Sequence, residues 1–433
     1  MAADFLASDP VALLRASFAA AVAAADPLRI VAAHLPPAPA RAWVVGAGKA
    51  AASMAVAVEQ AWPQAEFSGL VITRYGHGLP TRGIRVIEAG HPVPDAAGAE
   101  AAAEILALVG QLRAGDLLLV LVSGGGSSLL SLPVPAVKLD ELKQVTRDLL
   151  VSGAPIEQMN VVRKHLSQIA GGRLAAAATA RGARVLALIV SDVTGDNPAD
   201  IASGPCAPDP STFADAESIL KRWGVVPPAS VADWLARGVL GAVEETPKPG
   251  DARLAGVDNR VIATARVSLQ AAAAVFGAAG VTPVILGDTV TGEAREVAKV
   301  YAALVREIRA HGAPFPRPVA LLSGGECTVT LPPGACGRGG RCSEFLLSLA
   351  VELDGADSVY ALAADTDGID GSEDNAGAWL GPDTVALAAQ QGVGARAALD
   401  AHDAYGFFAA AGAMITTGPT RTNVNDFRAI LVL

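Results

Sequence analysis

Lys49 stands directly after two closely spaced glycines, in Val44-Val45-Gly46-Ala47-Gly48-Lys49-Ala50-Ala51. Gly46, Gly48 and Ala51 fit the G-x-G-x-x-G/A spacing of a strand, a tight turn and a helix start. Free backbone N–H groups and the helix dipole favour a phosphate at such a place. The same spacing also serves a plain strand-to-helix turn. A lysine in a first helical turn opposes the dipole, so an anion explains it better than helix stability does. A second candidate cradle is Ser123-Gly124-Gly125-Gly126-Ser127-Ser128, which follows the apolar run Leu117 to Val122. Three consecutive glycines are costly in chain entropy. A nest of N–H groups followed by two hydroxyls suits a phosphate or a carboxylate.

Other charged groups stand at comparable places. Arg163, Lys164 and His165 follow one another within Asn160 to Ser167, either as a solvated helix face or as an anion clamp. Asp192 comes just after an apolar run and could hold Mg²⁺ or accept a proton from a substrate hydroxyl. Asn197, a few residues on, is a candidate substrate or phosphate contact, whereas Asp196 reads as part of a turn. Arg341, between a glycine pair and a helix start, is placed to meet phosphate oxygens; Cys342 beside it reads as a packing residue. The acidic run Asp365 to Asp374 fails the EF-hand pattern, because Ile369 occupies a ligand position. A metal–nucleotide contact through Asp367 and a polar turn both remain open there. No P-loop lysine motif and no H-R-D or D-F-G set occurs, which excludes P-loop and protein-kinase chemistry.

These residues need elements to hold them. Short apolar runs at Trp43–Val45, Leu70–Thr73, Val86–Glu88, Leu117–Val122 and Val185–Val190 alternate with alanine-rich helical segments. That pattern predicts a parallel sheet covered on both faces. A Pro/Gly/charge seam from Glu244 to Asp251 reads as a linker or an inter-domain loop. A second alternating stretch follows, with strands at Val261–Thr264, Thr282–Leu286, Val319–Leu322, Val359–Ala363 and Met414–Thr416, and a terminal strand at Ala429–Leu433. The expected fold is α/β, with two doubly wound, Rossmann-like domains at residues 1–245 and 246–433 and a cleft between them. The glycine and aspartate loops would lie at the carboxyl ends of strands, where open α/β sheets bind ligands. The first 40 residues read as one or two helices and a Pro-rich turn.

Composition narrows the choice. Of 433 residues, 52% are hydrophobic and 18% charged, so the chain can bury a large core and bulk disorder is excluded. A formal net charge of -10 argues against nucleic acid as a partner. Four cysteines without CxxC or metal spacing point to a reducing compartment. No apolar run approaches the ~20 residues of a spanning helix. Asp4, Asp9 and Arg15 break a signal-peptide pattern, so a soluble cytoplasmic protein without membrane contact is expected.

Taken in order, GAGKA, SGGGSS, NVVRKHLS, SDVTGD with IASGP, SGGE, GRGGR, DTDGIDG and TGPT-x-TNVND resemble the glycerate 2-kinase family with a C-terminal MOFRL domain, some members of which are labelled hydroxypyruvate reductase. The resemblance runs from about Asp9 to the end, with the MOFRL segment at about 318–426. It implies ATP- and Mg²⁺-dependent phosphorylation of D-glycerate at the 2-hydroxyl. It places the family's catalytic lysine on Lys49 and its catalytic arginine on Arg341, which would bracket the transferred phosphoryl group. Gly124 to Ser128 would cradle nucleotide phosphate or the glycerate carboxylate, with Arg163, Lys164 and His165 completing an anion site. Two motifs depart from the family: Cys342-Ser343 replaces a pair that is often Asn-Gln, and Arg421 stands where glycine is usual. The alternative is an NAD(P)H-dependent hydroxypyruvate reductase, using Gly46, Gly48 and Ala51 as a dinucleotide fingerprint and Arg74 as a cation for NADP. That reading leaves SGGGSS, Arg341 and the aspartate loops without roles. A non-catalytic metabolite-binding protein would have no need of both phosphoryl-contacting cations.

Overall fold

The computed structural model describes residues 9–332 and 337–433, so Asp4 and Cys336 lie outside it. The first alternating stretch folds into β1 (Arg41–Ala47), β2 (Glu66–Arg74), β3 (Arg85–Ala89), β4 (Leu117–Val122), β5 (Arg184–Val190) and β6 (Val257–Ala263). Their order across the sheet is β3-β2-β1-β4-β5-β6. The first five strands run parallel. Nearly every residue of β4 and β5 is buried, as continuous Leu/Val runs covered by helices on both faces must be. The strand order reverses between β1 and β4, a topological switch point. Ala47 pairs with Val122 there, so the two glycine motifs leave the sheet side by side.

Contacts divide the chain into two compact units. One is Pro27–Ile262; the other joins the segment ending at Asp26 to Ala263–Leu433. This differs from the 245/246 boundary read from the sequence. Val257–Ala263, partly assigned to the second stretch, is the edge strand β6 of the first sheet. The Glu244–Asp251 seam is not a free linker. Thr246 Oγ1 donates to Asp209 (3.1 Å), the Pro247 carbonyl accepts the Asp209 N–H (2.9 Å), and Glu245 pairs with His165 (2.9 Å). Pro and Gly marked a change of direction there, and the charged residues between them anchor it.

In the other unit β7 (Thr282–Gly287), β8 (Gly292–Glu293), β9 (Val319–Ser323), β10 (Cys327–Thr328), β11 (Val359–Asp365), β12 (Gly377–Leu380), β13 (Met414–Ile415) and β14 (Asp426–Val432) follow in order. Six form a sheet ordered β13-β12-β11-β14-β9-β7, and β8 pairs with β10. This α/β sheet is mixed. The terminal strand β14, wholly buried, runs antiparallel between β11 and β9, and only β7 and β9 are parallel. The short connection from β11 to β12 cannot make the crossover that parallel strands need. One face is covered by helices Ala294–His311 and Arg341–Leu353, the other by Pro10–Ala24 and Ala265–Ala278. The first helix starts on an Asp9 cap with Pro10 in its first turn. It buries Leu13, Leu14, Phe18 and Ala21 against Leu269, Ala272, Phe276 and Phe427. No single helix among the described residues is long and apolar enough to cross a membrane.

Candidate active site

The two glycine motifs of the Pro27–Ile262 unit lock onto each other. The N–H groups of Gly48, Lys49 and Ala51 donate to Ile72, Gly124 and Gly48 carbonyls at 3.0, 2.8 and 3.1 Å. Ala50 N–H donates to Ser123 Oγ at 2.9 Å. The N–H groups from Gly48 to Ala51 are therefore committed to the protein. Gly46 is required by close packing, because a Cβ there would lie 2.0 Å from the Leu121 carbonyl oxygen. The second motif is different. Among the described residues, no protein acceptor meets the N–H groups of Gly124, Gly125 or Ser127. Lys49 reaches this loop, with its Cγ 3.5 Å from the place of a Cβ on Gly125. His91 Nε2 lies 2.8 Å from the same place. This loop, with open donors and a lysine beside it, fits phosphate oxygens.

Asp192 is half-buried two residues past β5, whose neighbour β4 leads into the glycine loop. Asn197 is exposed; its amide donates to Asp200 (2.8 Å) and its oxygen accepts the Ala199 N–H (3.2 Å). The three cations predicted as a clamp end the helix Ile156–His165 but have different surroundings. Lys164 Nζ lies 3.5 Å from Asp200 and 3.6 Å from Asp209. His165 meets the Val161 carbonyl through Nδ1 (2.8 Å) and Glu245 through Nε2 (2.9 Å). Burial would raise the Glu245 carboxyl, but hydrogen bonds from His165 and from the Phe213 and Thr246 N–H groups hold it down at about 2. Lys164 and His165 thus belong to a buried charge network. Arg163 does not.

In the other unit, Arg341 opens the helix Arg341–Leu353 at the carboxyl ends of β9, β11 and the start of β14. It is ringed by carboxylates. Asp365 lies 2.8 Å away and Asp426 3.2 Å, and Glu326 pairs with its other nitrogen. Burial would lower the Arg341 pKa; Asp426, Asp365 and Glu326 hold it well above the usual arginine range. The acidic loop is built from its own turns. Asp365 accepts the Asp367 N–H, Asp367 accepts the Ile369 N–H (both 2.9 Å), and Asp370 caps the helix by accepting from Cys342 (2.9 Å) and Ser343 (2.8 Å). Burial raises the Asp370 carboxyl to about 6. Cys342 and Ser343 face inward, so that departure from the family pattern concerns packing. Arg421 takes φ 60°, the left-handed region that favours glycine. Among the described residues no three His, Cys, Asp or Glu side chains converge as a metal cage. Mg²⁺ commonly binds through one or two carboxylates and substrate phosphates, so no such cage is needed for Asp192 or Asp367 to serve as a ligand.

Sequence reasoning passed over His91 and the three carboxylates around Arg341. His91-Pro92 just past β3 was a signal in reach, and each carboxylate lies in a motif that had been noted.

A switch-point glycine loop with open N–H groups and a lysine beside it is the kind of place where α/β enzymes hold small anionic ligands. A domain of unknown function (DUF4147) matches residues 13–236 and the MOFRL family matches residues 319–426. A glycerate 2-kinase of Pyrococcus horikoshii is 39% identical over 89% of this chain and 86% of its own. A protein of Agrobacterium vitis named as a hydroxypyruvate reductase is 51% identical over 97% of this chain and 94% of its own. The crystal structure of glycerate kinase from Thermotoga maritima superposes with a TM-score of 0.85 at 36% identity, covering 97% of this chain and 99% of that one. The chain belongs to the glycerate kinase family with a C-terminal MOFRL domain, a family of phosphotransferases.

Proposed function

We propose that the enzyme transfers the γ-phosphoryl group of ATP to the 2-hydroxyl of D-glycerate, giving 2-phosphoglycerate, with Mg²⁺ as the accompanying ion. The observation that carries this reading is the contrast between the glycine motifs. The N–H groups of the dinucleotide-like turn are committed to protein acceptors, whereas those of Gly124, Gly125 and Ser127 are open beside Lys49. Phosphoryl transfer depends on positioning and on neutralising charge spread over the phosphoryl oxygens. Lys49 supplies such charge beside the Gly124–Ser128 loop, which holds an anion of the nucleotide; for Arg341 a phosphoryl contact rests on the family resemblance. Asp192 accepts the proton leaving the 2-hydroxyl or ligates the ion. Were Mg²⁺ bound, Asp192 would help to hold it, and it would supply positive charge that offsets the phosphates. Asn197, Lys164 and His165 support these loops through their local partners. Three buried free thiols are consistent with a cytoplasmic setting.

The test is a paired assay on the pure protein. One cell holds D-glycerate, ATP and Mg²⁺, followed for ADP and for the position of the phosphate. The other holds hydroxypyruvate with NADH or NADPH. Glycerate-dependent ADP release giving the 2-phosphate is expected. Nicotinamide oxidation without ADP release would overturn the reading in favour of the reductase.

A further inference from the structure

Three cations end the helix Ile156–His165, where the dipole favours positive charge. Lys164 and His165 are matched by Asp200, Asp209 and Glu245. Arg163 has no hydrogen-bond or ion-pair partner among the described residues, and it lines a small, partly open cavity with Ser127, Ser131, Ser167 and Ser203. Burial, with nothing to offset it, lowers its pKa to about 10. A half-buried guanidinium with no carboxylate against it gains when an anion joins it.

The cavity's hydroxyls are held in place. Ser127 Oγ and Ser203 Oγ lie 2.8 Å apart, with Asn160 Oδ1 3.4 Å beyond. Ala202 and Ser203 both take left-handed backbone (φ 51° and 57°). A Cβ on Gly126 would fall 2.5 Å from the Ala202 Cβ, so the 126–127 and 202–203 segments meet with no room for a side chain between them. Leu132 and Ile169 add an apolar wall that suits a short carbon chain. With Lys164 and His165 neutralised, one positive charge remains, which matches a monoanion and not a phosphate dianion.

We infer that Arg163, with the Ser127 and Ser203 hydroxyls, is the subsite for the carboxylate of the substrate. The planar guanidinium fork takes both carboxylate oxygens, and the hydroxyls fix the acid's orientation. The identity of that acid as glycerate rests on the proposed function; the carboxylate subsite does not.

The test is direct binding, measured by calorimetry without turnover, in the presence and absence of ADP. D-Glycerate and hydroxypyruvate are the carboxylate probes and glycerol is the carboxylate-free control. The Arg163→Gln variant is expected to weaken both acids by about 100-fold, with ADP affinity within about twofold and glycerol unaffected. Arg163→Lys should recover part of the loss, because it restores charge without the fork. Should Arg163→Gln fail to fold, Ser203→Ala gives the same comparison, with about a tenfold loss for the acids alone. Retention of acid affinity within about threefold, or an equal loss for ADP, would overturn the subsite. A wild-type protein that binds both acids through Arg163 yet releases no ADP with glycerate keeps the subsite and rejects the kinase reading.

Discussion

The hydroxyl of Ser123 lies where a side chain on Gly48 would begin: a Cβ built there would be 2.0 Å from the Oγ. The same oxygen accepts the Ala50 N–H, the start of the helix Ala51–Ala61. The first glycine motif is thus shaped by the second. Gly48 also holds φ 140°, outside the range a side chain tolerates. Gly48→Ala should therefore destabilise the protein by about 3 kcal/mol or more. Ser123→Ala, which removes only the capping oxygen, should cost about 1 kcal/mol. Denaturation midpoints followed by circular dichroism would separate the two, and equal midpoints would show that the loops relax around the added carbon.

Lys49 stands at the open glycine loop, so Lys49→Ala should lower kcat by about 100-fold or more. Arg341 compensates Asp365 and Asp426, whose side chains are 4% and 0% exposed. Arg341→Ala should lower kcat comparably and also destabilise the fold by about 2 kcal/mol, because two buried carboxylates each lose a cation, Asp426 keeping Arg428. Arg341→Lys should recover most of the stability and little of the rate, since a single ammonium cannot reproduce the fork. Parallel kinetics and thermal melts check both, and an Arg341→Ala variant as stable as the wild type would contradict the ring of charges.

The alternation of apolar runs and alanine-rich segments made the α/β class and the first sheet legible, because a strand buried on both faces has few sequences open to it. The terminal strand β14 was visible as an apolar run, but its place between β11 and β9 depends on pairing across the chain, which no local pattern records. The seam at Glu244 was misread for a related reason. Glu245 looks like linker charge until His165 and Phe213 are brought to it. The site shows the same division. Residue type and spacing picked out Lys49, Arg163 and Arg341. Only the fold shows that Arg163 alone of its run lacks a local partner, and that Arg341 is ringed by Glu326, Asp365 and Asp426.

A second buried charge cluster tests whether the MOFRL unit tolerates loss of a cation away from the site. Glu344 is 2% exposed and accepts from Arg295 at 3.1 and 2.5 Å and faces His402 Nδ1 at 3.0 Å. Arg295→Ala leaves that carboxylate with the histidine alone and should cost about 3 kcal/mol. A joint Arg295→Met, Glu344→Leu change should cost much less, because neither charge is then left buried. A double variant no more stable than Arg295→Ala would mean that packing at these positions, not charge, holds the helix Arg341–Leu353 against Ala294–His311.

Glu245 gives the protein an acid-side weakness whose sign can be worked out. Its carboxyl is held at about 2 in the fold, against an ordinary value near 4.5, because His165 and two backbone N–H groups bind the ionised form. Between those values the unfolded chain binds the proton and the folded chain does not, so stability rises with pH across that interval. The contribution is fully present above about pH 5 and is lost as pH falls through about 2. The side chain is about one-third exposed, so solvent screening reduces the stabilisation to about 1–2 kcal/mol. Glu245→Gln removes the titrating group and keeps one hydrogen-bonding oxygen. The stability gap between wild type and variant should be constant from pH 8 to about pH 5 and narrow steadily below it. Urea midpoints measured across that range provide the check. A gap that stays flat down to pH 3 would show that the His165–Glu245 contact stabilises the fold through packing and not through the carboxylate's charge.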